Sequence, residues 1–392
     1  MTSVIHRGLP WHTSRRSGPS PAALTSRVVA GTILITGGAG FIGSHLADEL
    51  LAHGYRVRVL DDLTPQVHGG GERPEYLSSG VELLVGDVRD PDAVAKAVEG
   101  ADAVVHLAAR VGVGQSMYEL AEYTAVNSLG TAVLLEALLH RPVERLLLAS
   151  SMSVYGEGLY RAPDGSLVDG VERPREQLER GEWELDGLEP VPTPETKQPA
   201  LASVYALTKY GQERLCLMFG SAYGIPTTAL RLFNTYGPRQ ALSNPYTGVL
   251  AIFASRLLNG RPPLVFEDGR QRRDFVSVFD VARACRLALE SDRAAGQVLN
   301  VGSGESVTVL EIAERLARIL GVDIESEALG RWRAGDIRHC FADITRAREL
   351  LGYEPQVDLE AGMRDLAEWL AGRTAVDRVD AATQELSSRG LL

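Results

Sequence analysis

The run "SVYALTKYGQE" (203–213) places Tyr205 and Lys209 four residues apart in a stretch with helical periodicity. A helix puts the phenol and the ammonium on one face, one turn apart. On a surface helix such a pair is usually incidental. It becomes chemistry if the phenol can lose a proton near neutral pH, which requires its pKa to fall from about 10 towards 7. A nearby ammonium favours the phenolate, and so does any other positive group in the same site. The pair must therefore be judged by what the rest of the chain brings to it.

A second chemical signal is "TGGAGFIG" (36–43), where Gly37, Gly40 and Gly43 follow a β-rich run, "TILITG" (32–37), and open a helical one. The first glycine permits a tight turn and the second lets a pyrophosphate approach the backbone. The third lets helix and strand pack closely, with the helix N-terminus facing the phosphates. Asp61 ends the next strand, 18 residues after Gly43. An acid there accepts hydrogen bonds from a ribose 2′-hydroxyl and repels a 2′-phosphate, so the expected cofactor is NAD rather than NADP. The adjacent Asp62 could share that role.

The elements that must position these residues alternate. Strands are expected at 56–61, 81–87, 102–109, 144–151, 227–232 and 298–304, with helices at 41–54, 91–100, about 117–140, around Tyr205 and at about 279–291. Strands alternating with helices imply a parallel sheet covered on both faces. Residues 156–202 break the rhythm. They are rich in Pro, Gly and Glu with little periodicity, and are expected to be an irregular insertion serving as a lid, an oligomer contact or a tolerated surface loop.

Composition bounds the rest. The 392 residues are 45% apolar and carry a formal charge of −11, which argues against nucleic acid or an anionic membrane as partner. No apolar run is long enough to span a bilayer. Cys216, Cys285 and Cys340 are scattered and odd in number, which fits a reducing compartment, expected to be the cytoplasm, without disulfides or a metal cluster. Residues 1–30 hold four arginines and no acid. They are compatible with an organelle transit peptide, but are read as a disordered extension or a start codon placed too early. Residues 374–392 are expected to be a loosely ordered tail.

Several further runs occur in a fixed order: "LDDL" (60–63), "GDVRD" (86–90), "HLAA" (106–109), "VNSLGT" (126–131), "SSMSVYG" (150–156), "RLFNTYGP" (231–238), "RRDFVSVFDVA" (272–282) and "NVGSG" (300–304). With the glycine run and Tyr205-x-x-x-Lys209, they resemble the extended short-chain dehydrogenase/reductase superfamily, in its NAD-dependent nucleotide-sugar epimerase and dehydratase branch, over about residues 31–370. The stretch 240–276 and the insertion look closest to dTDP-L-rhamnose 4-epimerase-like proteins, although the insertion lacks the paired cysteines often found in that group.

The resemblance implies an α/β fold. A Rossmann-type doubly wound parallel sheet would span 31–235 and 276–303, with a smaller mixed α/β C-terminal domain for a nucleotide-diphosphate sugar over 236–275 and 304–373. It makes Tyr205 the catalytic base or acid, Lys209 its partner and a ligand of the nicotinamide ribose, and Ser151 the group that hydrogen-bonds the reacting hydroxyl. Cofactor contacts implied by position are Gly37, Gly40, Phe41, Ile42, Gly43, Asp61, Asp87, Val88, Leu107, Ala108, Ala109 and Asn127. Substrate contacts implied are Asn234, Arg273, Arg333 and Asp336, besides Ser151. No metal is expected, and a homodimer is.

The reaction is narrowed beside Ser151. Dehydratases of this branch carry an Asp-Glu pair there, and its decarboxylases keep a Glu before Val-Tyr-Gly. This chain has Met152 and Ser153, neither of which can serve as that acid or base. The resemblance then implies 4-epimerisation, with NAD(P)H-dependent 4-keto-reduction or another nucleotide-sugar epimerase or dehydratase activity as the alternative.

Overall fold

The computed structural model describes residues 31–241, 248–333, 335–370 and 379–392. The expected extension 1–30 and the start of the tail, to 378, lie outside the described residues. Five strands, β1 (Thr32–Thr36), β2 (Arg56–Asp61), β3 (Glu82–Val85), β4 (Ala103–His106) and β5 (Arg145–Ser151), join the strands Thr227–Leu232 and Val298–Val301 in one seven-stranded sheet. Its order is Val298–Val301, Thr227–Leu232, β5, β4, β1, β2, β3, and every pair is parallel. This is the Rossmann-type order. The chain reverses direction between β1 and β4, and a crevice opens there at the strand ends.

Alternation along β1 shows how both faces are covered. Ile33 and Ile35 enter one core with Leu46, Leu50 and Val281, while Leu34 enters another with Val94, Leu134, Leu138 and Cys216. A third core joins the helices Val249–Leu258, Val309–Leu320 and Leu359–Leu370 through Phe253, Leu316 and Leu366.

Three expectations need correction. The helix expected at 117–140 contains a π-helical stretch, Thr124–Leu129, ahead of a regular helix Gly130–His140. Such bulges commonly mark functional sites, and this one carries Asn127. The insertion is not structureless. Leu159–Arg161 pairs antiparallel with Leu167–Val168 and with Glu189–Val191, and a short helix covers Arg175–Glu179. Finally, the last described residues are not loose but form a helix, Val379–Ser388, burying Ala382 and Leu386. Asp380 pairs with Arg256 at 2.8 Å and Arg261 at 2.9 Å, the Arg389 guanidinium lies 4.4 Å from the Tyr118 ring centre, and a Cβ on Gly114 would stand 3.3 Å from Leu386.

What orders the insertion is charge rather than apolar period. Arg338 is fully buried and donates to Glu267 at 2.8 Å, Asp268 at 2.6 Å and the insertion's Glu184. Arg173 of the insertion reaches Glu267 at 2.7 Å, and Glu157 accepts the Arg338 N–H at 2.7 Å.

Candidate active site

A cavity of about 470 Å³ fills the crevice, a size suited to a small ligand. Its walls include Gly37, Gly40, Phe41, Ile42 and Gly43, then Asp61, Asp87, Val88, Leu107, Ala108 and Ala109, and finally Ser151, Tyr205, Lys209 and Asn234. Fifteen of the positions singled out in the sequence are thus brought to one cavity.

The glycines earn their places by geometry. Gly37 has φ +70° and a Cβ there would lie 2.7 Å from the Ala108 nitrogen. A Cβ on Gly43 would lie 2.5 Å from Gly38 Cα, whereas on Gly40 the nearest atom is 3.4 Å away. Gly40 therefore leaves open space at the start of the helix Phe41–Ala52, which begins without a side-chain cap. Uncapped N–H groups at a helix start attract phosphate. Asp61 closes the other end. Its two oxygens accept from the Ala39 N–H at 2.9 Å and the Leu63 N–H at 3.0 Å, leaving further lone pairs for a ribose diol. His68 Nε2 lies 3.6 Å from Asp61 and also lines the cavity. The Asp87 carboxyl is held below its ordinary range by its hydrogen bonds to Arg89. An open glycine turn, a bare helix N-terminus and an anchored carboxylate together fit a dinucleotide.

On the reacting side, the helix Val204–Tyr223 starts at Ser203, whose hydroxyl accepts from Ala206 N–H at 3.1 Å. Tyr205 N–H donates to Ser116 Oγ at 3.0 Å, and the Tyr123 ring meets the Tyr205 ring edge-on at 6.5 Å. Ser151 ends β5 and stands with Tyr205 on the cavity wall, where its hydroxyl accepts from the Ser153 N–H at 3.2 Å. Burial pushes the phenol's pKa up, and the nearby Ser151 side chain opposes the rise. Burial alone thus makes the phenol a weaker acid than free tyrosine, and the depression was expected from Lys209 together with the positive nicotinamide ring. Burial pulls Lys209 down to about 8, against Cys216 and Glu213. Met152 and Ser153 stand on the cavity wall, as required for the dehydratase argument.

Four positions lie off the wall. Asn127 is fully buried behind it, accepting from Arg110 N–H at 2.7 Å and donating to Thr208 Oγ1 at 3.0 Å. Arg273 spends its guanidinium on backbone carbonyls, those of Arg272 at 3.0 Å, Arg338 at 2.9 Å and Ile337. Arg333 pairs with Asp336 at 3.0 Å and lies over the Phe266 ring, and Asp336 is 3.9 Å from Arg273. These three are gathered together, but beside the cavity rather than in it. None of the lining residues comes from 156–202.

Sequence reasoning missed Gln240, Ser116 and His68. Gln240 Oε1 and Asn234 Oδ1 are buried on the cavity wall with no partner among the described residues. Gln240 sits two residues beyond the "RLFNTYGP" run, so its signal was adjacency alone. No group of three metal-ligating side chains is placed to hold an ion among the described residues.

The sequence model of the NAD-dependent epimerase/dehydratase family matches residues 33–302. The chain belongs to that family. It is 39% identical over 346 residues to a dTDP-L-rhamnose 4-epimerase of Burkholderia thailandensis, covering 86% of this chain and 94% of that one. A UDP-glucose 4-epimerase of Thermotoga maritima, solved with UDP-glucose, superposes with a TM-score of 0.73 at 34% identity, over 87% of this chain and 98% of that one. A UDP-glucuronic acid 4-epimerase of Bacillus cereus, solved with UDP-glucuronic acid and NAD, superposes with a TM-score of 0.72 at 30% identity, over 87% and 99%. The cofactor of the epimerase/dehydratase family is NAD, which is the group the crevice of this member fits.

Proposed function

We propose that the protein is an NAD-dependent nucleotide-sugar 4-epimerase, an isomerase acting on a dTDP-, UDP- or GDP-linked hexose or deoxyhexose. The observation that carries this reading is that Ser151, Tyr205 and Lys209 share one cavity wall on which Met152 and Ser153 stand beside them. Tyr205 takes the proton of the sugar 4-hydroxyl, and Ser151 holds that hydroxyl in line. NAD⁺, when bound, supplies the hydride acceptor and the positive charge that favours the phenolate. Lys209 holds the nicotinamide ribose. With no carboxylate at 152 or 153, nothing there deprotonates C5, so the 4-keto sugar turns in the cavity and is reduced on its other face.

Asn234 and Gln240 offer unpaired carbonyl oxygens to sugar or base donors. Arg273, Arg333 and Asp336 are proposed for the diphosphate and ribose, supported by their clustering within 3.9 Å beside the cavity. A homodimer is proposed through Leu207 and Met218, which are exposed on one face of the Tyr205 helix, with the exposed Leu129 on the neighbouring π-helical stretch. A cytoplasmic location is proposed from three buried, unpaired cysteines. Among the described residues no helix is long and apolar enough to cross a membrane.

The test is a screen of dTDP-, UDP- and GDP-hexoses for inversion at C4 without consumption of added cofactor. Substrate deuterated at C4 should keep its label. Solvent deuterium at C5, or stoichiometric use of external NAD(P)H, overturns the reading in favour of C5 deprotonation or keto-reduction.

A further inference from the structure

We propose that Gln212 is a positioning residue for Lys209, and that with Thr131, His106 and Thr36 it ties the ammonium to the dinucleotide turn. The inference rests on the reading of Lys209 as a ligand of the cofactor ribose. Lys209 Nζ donates to Gln212 Oε1 at 2.7 Å. Gln212 is fully buried, and its Nε2 donates to Thr131 Oγ1 at 2.8 Å. Thr131 in turn donates to the Asn127 carbonyl at 2.6 Å. His106 Nε2 lies 2.9 Å from Thr131 Oγ1, and His106 Nδ1 lies 2.7 Å from Thr36 Oγ1. Thr36 also accepts from the Ala108 N–H at 3.3 Å, and the next residue is Gly37 of the turn.

Hydrogen counting fixes the directions. The ammonium has only donors, so the Gln212 carbonyl oxygen must face it and the amide nitrogen must face Thr131. The Thr131 proton goes to the Asn127 carbonyl, so Thr131 Oγ1 accepts from its other neighbours. His106 Nε2 faces both Thr131 Oγ1 at 2.9 Å and the Gln212 Nε2 amide at 3.2 Å, so the ring's tautomer sets whether it donates to the first or accepts from the second. Burial, with Lys209 second, pulls His106 down to about 3, keeping it neutral. The titratable groups facing Lys209 are Glu213 and Cys216 on its own helix and His106 on β4. The arrangement commits one ammonium proton to Gln212 and leaves the other two for the cavity.

The chain has three lysines, Lys96, Lys197 and Lys209, so lysine-labelled protein gives a short set of side-chain NMR signals to titrate. Gln212→Leu should lower the pKa of Lys209 and weaken NAD binding about tenfold by calorimetry, the scale of one hydrogen bond to a charged group. Gln212→Glu, which keeps the acceptor and adds charge, should raise the lysine's pKa and hold NAD affinity within about threefold of wild type. If Gln212→Leu does not fold, Gln212→Glu and Thr131→Val carry the test, the latter shifting the His106 ring signals. An unchanged Lys209 titration in the Leu or Glu variant overturns the proposal. Wild type that binds no NAD overturns the cofactor reading instead, and the lysine titration still judges Gln212.

Discussion

The network behind Lys209 and the network around Arg338 each centre on a buried cation, yet they are made of opposite materials. The first surrounds one ammonium with neutral amide, hydroxyl and imidazole groups that fix its direction. The second joins Arg173 and Arg338 to Glu157, Glu184, Glu267 and Asp268. Neutral partners cost little to bury and orient a single charge. Buried ions attract strongly but leave an uncompensated charge when one member is lost. The comparison teaches that the cofactor half is built for direction, and that the insertion is held to the 336–339 segment by mutual dependence.

The sharpest way to break this contrast is Arg338→Met. It takes from the fully buried Glu267 one of its two cations, leaving Arg173 alone, and should destabilise the fold by about 3–5 kcal/mol in urea unfolding. A loss below 1 kcal/mol would show that the charges are not mutually dependent. Next in size, Tyr205→Phe should lower kcat at least ~100-fold, the scale of a missing general base, with the urea midpoint nearly unchanged. Asp61→Ala removes two hydrogen-bond acceptors anchored by the glycine turn. NAD affinity should fall roughly tenfold or more while NADP becomes tolerated, as calorimetry with both cofactors would reveal.

The smallest expected effect concerns pH. The His339 hydrogen bond, with Arg338, holds Glu184 down to about 2 from an ordinary 4.5. A depressed carboxyl contributes stability above its unfolded pKa and loses it as pH falls. The stability gap between wild type and Glu184→Gln should therefore be full above pH 4.5 and shrink towards pH 2. Because Glu184 is half exposed, the gap is modest and narrows in salt. A gap that grows on acidification would contradict the arrangement.

Much of the cofactor half was legible because its signals are local. Gly37, Gly40, Gly43 and Asp61 act through turn geometry and strand ends, and the strands announce themselves as short Val/Ile/Leu runs. Tyr205, Lys209 and Ser151 were legible through a motif order that covers most of the chain. Arg273 was placed less well, since a guanidinium's direction depends on which carbonyls the fold brings near it, here those of Ile337 and Arg338. The insertion was read as irregular because its order comes from pairs such as Arg338–Glu184, 154 residues apart. The helix Val379–Ser388 did leave a trace in Ala382 and Leu386, one turn apart, but the trace is faint beside the polar residues around them.

That last helix has a practical consequence. Leu386 rests on Gly114 and Arg389 on Tyr118, at either side of Ser116, whose hydroxyl receives the Tyr205 N–H. The helix Val379–Ser388 is thus two contacts from the backbone N–H of Tyr205. Displacing this helix, as Leu386→Asp would, should therefore be felt at the cavity wall that carries Tyr205.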